Sequence, residues 1–255
     1  MPLARDDAVC LRSTPFGETS QVVSILCRER GRVRLLVKGA RRRTKLGKSK
    51  FDGGIEPLDL GHALFAHVPE RELSLMTEWK LLDRHRHLRR SLRTVHLASY
   101  AAELVDRLIE QHEPVPKLFD GLQRFIARLE DRQKREAVTL AFVLNLIRQA
   151  GILPDLSRAA DGASIVQALR DGETITFSPS DAALHVGQDV PGDVEVVDSD
   201  GLAAVLALLR LPRTGAELPV LSRRVASGAH RLLVSHVRHQ TDARVRTARA
   251  LTSSI

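Results

Sequence analysis

Two different hydrophobic periods divide this chain at about residue 80. Before that point, five short β-rich runs separated by turn residues occupy residues 8–79, and apolar and polar side chains alternate within them. Five strands in about 75 residues are typical of a small closed barrel of the oligonucleotide/oligosaccharide-binding (OB) type. The strand pattern alone does not distinguish this barrel from an SH3-like one. We predict an OB-fold domain over residues 1–80.

From about residue 81, apolar residues recur every three or four positions, which indicates helices packed into a bundle. The helical pattern is interrupted at residues 152–200 by clusters of Asp, Gly, Ser and Pro, with one short helix and short β-like pieces. The chain is therefore predicted to be an α+β protein with a helical domain over residues 81–255 that carries a small insertion at 152–200. The predicted helices cover residues 97–109, 118–129, 135–150, 164–170, 202–209 and 220–239.

The positive charge of the chain is concentrated in one short segment. The whole chain has a net charge of +8, whereas residues 28–50 alone have a net charge of +10, so the remainder sums to −2. A field focused in this way attracts a polyanion, and nucleic acid is the commonest polyanion in cytoplasm. We interpret the segment as a nucleic-acid contact; a solvated charged loop is the alternative.

The cations of this segment are predicted to form one positive stripe along the third strand and the loop that follows it. In the run RVRLLVK the alternation places Val33, Leu35 and Val37 toward the barrel core and Arg32, Arg34 and, with a shift of phase, Lys38 on the outer face. Such a stripe suits a phosphodiester backbone, and about six phosphate contacts predict a salt slope near −4 for single strands. Phe51, at the loop exit, is a candidate for stacking on a base, and a core position is its alternative. The candidate DNA-binding residues are Arg32, Arg34, Lys38, Arg41, Arg42, Arg43, Lys45, Lys48, Lys50 and Phe51.

Two further groups of residues carry weaker signals. Residues 83–96 form a second basic patch, which either extends the DNA path or is a solvated helix face; its three histidines do not share a helical face and predict no metal site. Cys10 and Cys27 lack CxxC spacing and are predicted to be buried free thiols.

No catalytic motif supports an enzyme. The Gly-Lys-Ser at 47–49 lies eight residues after Gly39 rather than five, so it is not a phosphate-binding loop, and no GxSxG or HExxH sequence is present. Asp and Glu are scattered, whereas nuclease metals need clustered carboxylates. We expect no catalysis and no cofactor.

Four stretches of the chain resemble the RecO family of bacterial recombination mediator proteins. They are PFGETSQVVSILCRERGRVRLLVKGARR, KSKFDGGIEPLDL, GILPDLSR and ITFSPSDAAL, in this order along the chain. The resemblance implies an N-terminal OB-fold, a helical bundle and a zinc-ribbon-like insertion. It also implies binding of single- and double-stranded DNA, annealing of complementary strands, and partnership with RecR and the acidic C-terminal tail of single-stranded-DNA-binding protein (SSB). With these partners the family helps to load RecA onto SSB-coated DNA.

The insertion departs from the family pattern, in which many members carry four cysteines. Ala159–Gly162 replaces the first pair, and Leu184–Gly192 lacks the second and offers His185 as the single candidate ligand. Structural zinc needs four N or S ligands. We therefore predict no zinc and an insertion held by packing alone.

Alternatives from other classes remain open. The first is an RNA-binding OB-fold adaptor, and the second is a scaffold whose basic loop binds a protein or an anionic membrane surface. The longest uncharged stretch, Ala137–Ile147, is too short to span a bilayer, and two acids near the N-terminus do not fit a secretory signal. The sequence predicts a cytoplasmic bacterial protein without membrane contact, monomeric on its own and associated with the nucleoid during repair.

Overall fold

The computed structural model describes residues 3–42, 50–51, 53–66, 71–187, 192–212, 217–241 and 245–252. The chain divides into two compact units, Met1–Glu130 and Asp131–Ile255. The predicted boundary near residue 80 follows the change from strand to helix, whereas the first compact unit groups two helices with the barrel. The division at residue 80 stays a prediction.

Five strands of the first unit form a closed barrel in the order β1-β2-β3-β5-β4. Neighbours pair antiparallel except β3 and β5, which are parallel at Leu35–Ser74 and Leu36–Leu75. The predicted OB-type barrel is thereby confirmed. The strands are β1 (Leu3–Phe16), β2 (Ser20–Cys27), β3 (Gly31–Val37), β4 (Leu60–Ala66) and β5 (Ser74–Asp83).

The barrel core is built from alternate residues of the strands, as the sequence period predicts. Along β3, Val33, Leu35 and Val37 are at most 1% exposed, while the residues between them are half-buried on the outer face. Cys10 and Cys27 are buried free thiols, as predicted. Burial raises the pKa of both thiols above the ordinary value, so they are held as neutral hydrophobic groups.

Helices α1 (Leu92–Leu108) and α2 (Pro116–Arg128) complete the first unit, after a 3₁₀ turn at Arg86–Arg90. The buried face of α1 includes Leu97, Ala101, Leu104 and Val105, which share one helical face by spacing, and the helix packs against β1 and β2. The segment between the two helices lies against β3, where the His112 N–H donates to the Arg32 carbonyl at 2.9 Å.

The second unit combines helices with a small sheet in the order β7-β6-β8. None of its helices, and no helix elsewhere in the described ranges, has the length and apolar character needed to cross a membrane. Its elements are α3 (Arg135–Gln149), α4 (Ile165–Asp171), β6 (Ile175–Ser178), β7 (Ala183–Val186), β8 (Glu195–Val196), α5 (Ser199–Arg210), α6 (Arg223–Thr241) and α7 (Arg249–Thr252).

The insertion is packed around apolar side chains. Ala159 and Leu184 form a bridge, and the Ala160 N–H donates to the Leu184 carbonyl at 2.8 Å. Ile165, Phe177 and Leu184 are at most 1% exposed. Among the described residues, no three His, Cys, Asp or Glu side chains are grouped as a metal site would require. The zinc-ribbon-like character of the insertion and its lack of zinc stay predictions.

Candidate nucleic-acid interface

The first stem of the basic loop is fixed at one end of the barrel. The Arg41 N–H donates to the Thr19 carbonyl at 3.1 Å, and Ala40 is fully buried. The loop therefore leaves β3 beside the β1–β2 turn. Lys38, Arg41 and Arg42 are exposed at this stem.

The second stem is anchored by the residues around Phe51. The Trp79 N–H donates to the Lys50 carbonyl at 3.2 Å, and the Gln21 side chain bonds both the N–H and the carbonyl of Ile55. Phe51 is 5% exposed and belongs to the barrel core, while Lys50 is exposed. Both stems are thus held in place by backbone hydrogen bonds and core packing.

Phe51 and Arg32 do not lie on an exposed positive stripe, which is where the sequence analysis placed them. The ring of Phe51 is inside the barrel, which favours the core alternative over stacking on a base. Arg32 points outward, as the alternation predicts, but helix α1 covers it: its side chain is 15% exposed, and Nε donates to the Ile109 carbonyl at 2.6 Å. Burial lowers the pKa of Arg32 against the opposing effect of Asp106. Its geometry favours a structural role.

Most cations of the barrel strands and their turns are paired with acids of the same unit. Arg28 lies 3.1 Å from Asp120, Arg30 lies 3.2 Å from Asp6, and Arg34 is paired with Glu72. These contacts neutralise part of the charge that the sequence places on the stripe.

The cations of the loop stems lack such acids. Across the ranges that the structure describes, Lys38, Arg41, Arg42 and Lys50 have no acidic partner. All four are exposed and lie at the two anchored ends of one loop. The remaining candidates, Arg43, Lys45 and Lys48, lie outside the described residues, so their roles stay predictions.

The second basic patch is largely engaged within the protein. Arg89 is paired with Glu56 and Arg90 with Glu130, and both pairs are exposed. His85 is buried with Nδ1 2.7 Å from the Leu58 carbonyl, so this ring is bound to backbone. These contacts favour a solvated helix face over an extension of a DNA path.

One cation of the outer barrel face was missed by the sequence reasoning. Arg12 on β1 lies opposite Ser24, which in turn lies opposite Arg34 on β3. Asp106 of α1 receives a hydrogen bond from Ser24 at 2.5 Å and lies 3.0 Å from Arg12 Nε. Arg12 precedes the basic segment by sixteen residues, so charge density along the sequence does not reveal it. The strand register would have done so.

Two family models match consecutive parts of the chain. The model described as Recombination protein O N terminal matches residues 1–85, and the one described as Recombination protein O C terminal matches residues 89–248. Together they cover the barrel, both helical regions and the insertion.

Curated relatives extend over most of the chain. A protein named DNA repair protein RecO from Anaeromyxobacter dehalogenans strain 2CP-C is 32% identical over 81% of this chain and 78% of its own length. One of the same name from Anaeromyxobacter sp. strain Fw109-5 is 30% identical over 89% of this chain and 88% of its own. A third, from Salinibacter ruber, is 33% identical over 67% of this chain, and the match spans 66% of that relative. On these matches, the chain belongs to the RecO family.

Proposed function

We propose that the protein is a DNA repair and recombination mediator that binds single- and double-stranded DNA and anneals complementary strands. Together with RecR, it would help to load RecA onto single-stranded DNA coated by SSB, whose C-terminal tail is the proposed docking segment. Family membership and the names of the relatives support the repair role. The annealing activity and the partners rest on the family resemblance alone.

The observation that carries the DNA-binding part is the set of four exposed cations at the anchored loop stems. Lys38, Arg41, Arg42 and Lys50 have no acidic partner among the described residues, and they flank a segment that adds Arg43, Lys45 and Lys48. Cations without internal partners are available to displace counterions from a phosphate backbone. Contacts of this kind carry no sequence information, which suits a protein that must pair any two complementary strands.

The proposal treats the protein as a binding factor and not as an enzyme. Annealing needs only that the repulsion between two strands be lowered while their base edges stay free, and phosphate contacts do this without a chemical step. No cofactor is required.

The first test measures the salt dependence of DNA binding. Arg41→Ala combined with Arg42→Ala removes two proposed phosphate contacts, so the slope of log affinity against log salt should become shallower by about 1.4 for single strands. Lys117→Ala combined with Arg132→Ala removes the same charge from two exposed positions outside the loop and serves as the control. An unchanged slope in the Arg41/Arg42 variant would overturn the loop assignment.

A second test addresses the mediator role. Complementary oligonucleotides coated with SSB are annealed with the wild type, the double variant and the control, and the double variant should anneal more slowly. Tighter binding of RNA than of DNA of matched sequence would favour the RNA-binding adaptor instead. Flotation with anionic liposomes tests the membrane alternative.

A further inference from the structure

The outer face of β1, β2 and β3 carries three rows of side chains, which the strand register defines. The first row is Arg12, Ser24 and Arg34, and the second contains Thr14 and Val22. The second row continues to Leu36 and, through the parallel pair, to Leu75 on β5, which is 39% exposed. The third row joins Phe16 to Ser20, next to the first stem of the basic loop.

A pocket of about 270 Å³ lies on this face. It is lined by Arg12, Thr14, Phe16, Val22 and Arg34 among others, so cations and an aromatic ring border the same space. Phe16 is 59% exposed, which is unusual for a large aromatic side chain that has a barrel core available to it. The volume lies near the lower limit of ligand pockets, roughly 300 Å³, and suits one small planar group.

The two arginines of the pocket are each paired with an acid through one guanidinium nitrogen, and the side chains of Arg12 and Arg34 remain 57% and 29% exposed. Arg12 contacts Asp106 through Nε at 3.0 Å, and its terminal nitrogens have no acceptor among the described residues. Asp106 is itself fixed by the hydroxyl of Ser24. Arg34 is paired with Glu72 through one terminal nitrogen, while its Nε is buried without a hydrogen-bond partner.

We propose that this pocket is a nucleotide subsite, in which one unpaired base of single-stranded DNA stacks on Phe16 and a neighbouring phosphate is bound by Arg12 and Arg34. The proposal rests on the proposed function and deepens it by adding a base-dependent contact to the phosphate contacts of the loop. Stacking on an aromatic ring tolerates any base, because every base has a π face.

The chemistry of the surroundings favours a nucleic-acid strand over other anions. The third row of this face, Phe16 and Ser20, lies beside the stem that carries Lys38 and Arg41, since the Gly39 N–H donates to the Ser20 hydroxyl at 3.4 Å. A chain with a phosphate at every residue can occupy the pocket and the loop stem together. In a duplex both faces of each base are covered by neighbouring bases, so the subsite selects single strands.

The test compares oligonucleotides with and without bases at equal charge. A thymine oligonucleotide and one of the same length with abasic sites are bound to the wild type and to Phe16→Ala. The wild type should prefer the oligonucleotide with bases by about 5- to 150-fold for one stacked base, and Phe16→Ala should lose this preference. Binding of the abasic strand should be unchanged. Because Phe16 is exposed, the variant should fold, and circular dichroism verifies this.

Two further variants separate stacking from general apolar contact. Phe16→Trp should keep the preference for bases, and fluorescence of the new indole should be quenched by the thymine strand but not by the abasic one; the single native tryptophan, Trp79, is buried and gives the wild-type baseline. Phe16→Leu should lose the preference. Leu92→Ala, at another exposed apolar side chain, is the control and should behave as wild type.

The outcomes distinguish the subsite from the proposed function. If Phe16→Ala keeps the preference for bases, the proposal that Phe16 stacks on a base is wrong, whereas the proposed DNA binding is unaffected. If neither strand binds the wild type, the proposed function fails first. If Phe16→Ala abolishes binding of an acidic peptide ending in phenylalanine while both oligonucleotides bind as before, the pocket is a peptide site and the proposal is wrong.

Discussion

The side chain of Gln21 bonds both backbone groups of Ile55, which lies 34 residues further along the chain. The amide Nε2 donates to the Ile55 carbonyl at 3.3 Å, and Oε1 accepts from the Ile55 N–H at 3.1 Å. One buried side chain on β2 thereby sets the position at which the chain returns from the basic loop to the barrel.

Replacement of Gln21 by Leu should destabilise the barrel by about 1–3 kcal/mol. The variant keeps the volume but leaves two buried backbone groups without partners. Unfolding in urea, followed by the fluorescence of Trp79 in the barrel core, measures this free energy for the first unit. Gln167→Leu, on the exposed face of α4, should leave the Trp79 transition unchanged. Equal midpoints for the two variants would contradict the anchoring role.

Arg32 and Arg42 are expected to give opposite results although both belong to the basic segment. Arg32→Met leaves the Ile109 carbonyl without its side-chain donor and removes the ion pair with Asp106, and should cost about 1–3 kcal/mol of stability with little change in the salt slope of DNA binding. Arg42→Met should leave stability unchanged and make the slope shallower by about 0.7. The measurements are Trp79 fluorescence in urea and DNA titrations at several salt concentrations. A shallower salt slope for Arg32→Met would show that Arg32 contacts DNA phosphates and would contradict its structural role.

Gly31 and Gly17 provide a matched pair for the contact between β3 and the α1–α2 segment. Both have positive φ, 65° and 63°, so alanine strains the backbone equally, by about 1–2 kcal/mol. A Cβ on Gly31 would lie 1.8 Å from the Glu113 carbonyl oxygen, whereas nothing lies within 4 Å of one on Gly17. Gly31→Ala should therefore be less stable than Gly17→Ala by about a further 1–3 kcal/mol. Equal urea midpoints would show that the segment does not pack as described.

His236 should make the second unit sensitive to mild acid. Its ring is 2% exposed with Nε2 2.5 Å from the Ile152 carbonyl, and burial lowers its pKa from the ordinary value near 6.5, with a smaller contribution from His239. The unfolded chain then binds the proton more readily, so this contribution to stability is complete above pH 6.5 and is lost as pH falls through the lowered pKa. His236→Gln should show a weaker fall in melting temperature between about pH 6.5 and 5, measured by circular dichroism. If the melting temperatures of the wild type and of His236→Gln fall equally with pH, His236 is not the source of the acid sensitivity.

The periodicity of the sequence predicted the elements well because each element follows a local rule. The third predicted strand, RVRLLVK, corresponds to β3 at Gly31–Val37, and its inward residues are those that the alternation indicated. In the insertion, the helix predicted from Ser164 is α4, with the Ser164 hydroxyl accepting from the Gln167 N–H as its N-cap. Closure of the barrel through parallel β3 and β5 joins residues about 40 apart, which no local period encodes.

The candidate site was harder to predict, because whether a side chain is free to contact DNA depends on residues that are distant in the sequence. Arg32 alternates outward like Arg34, yet it is covered by Asp106 of α1 and by Ile109 at the end of that helix, more than seventy residues away. Phe51 follows the loop in sequence but turns into the core. The cluster of cations at the stems, by contrast, was predictable from charge density alone, because residues 38–50 contain no acid.

Because both stems are anchored, the stability of the barrel and the charge of the loop can vary separately. Gln21, Ala40 and Phe51 fix where the loop leaves and returns, and closing a loop between two fixed stems has an entropic cost. That entropy depends on the logarithm of length, and a doubled loop costs only about 0.6 kcal/mol. We therefore expect that insertion or deletion of cations between the stems would change the stability of the barrel little, so the strength of the proposed DNA contact could change independently of the fold.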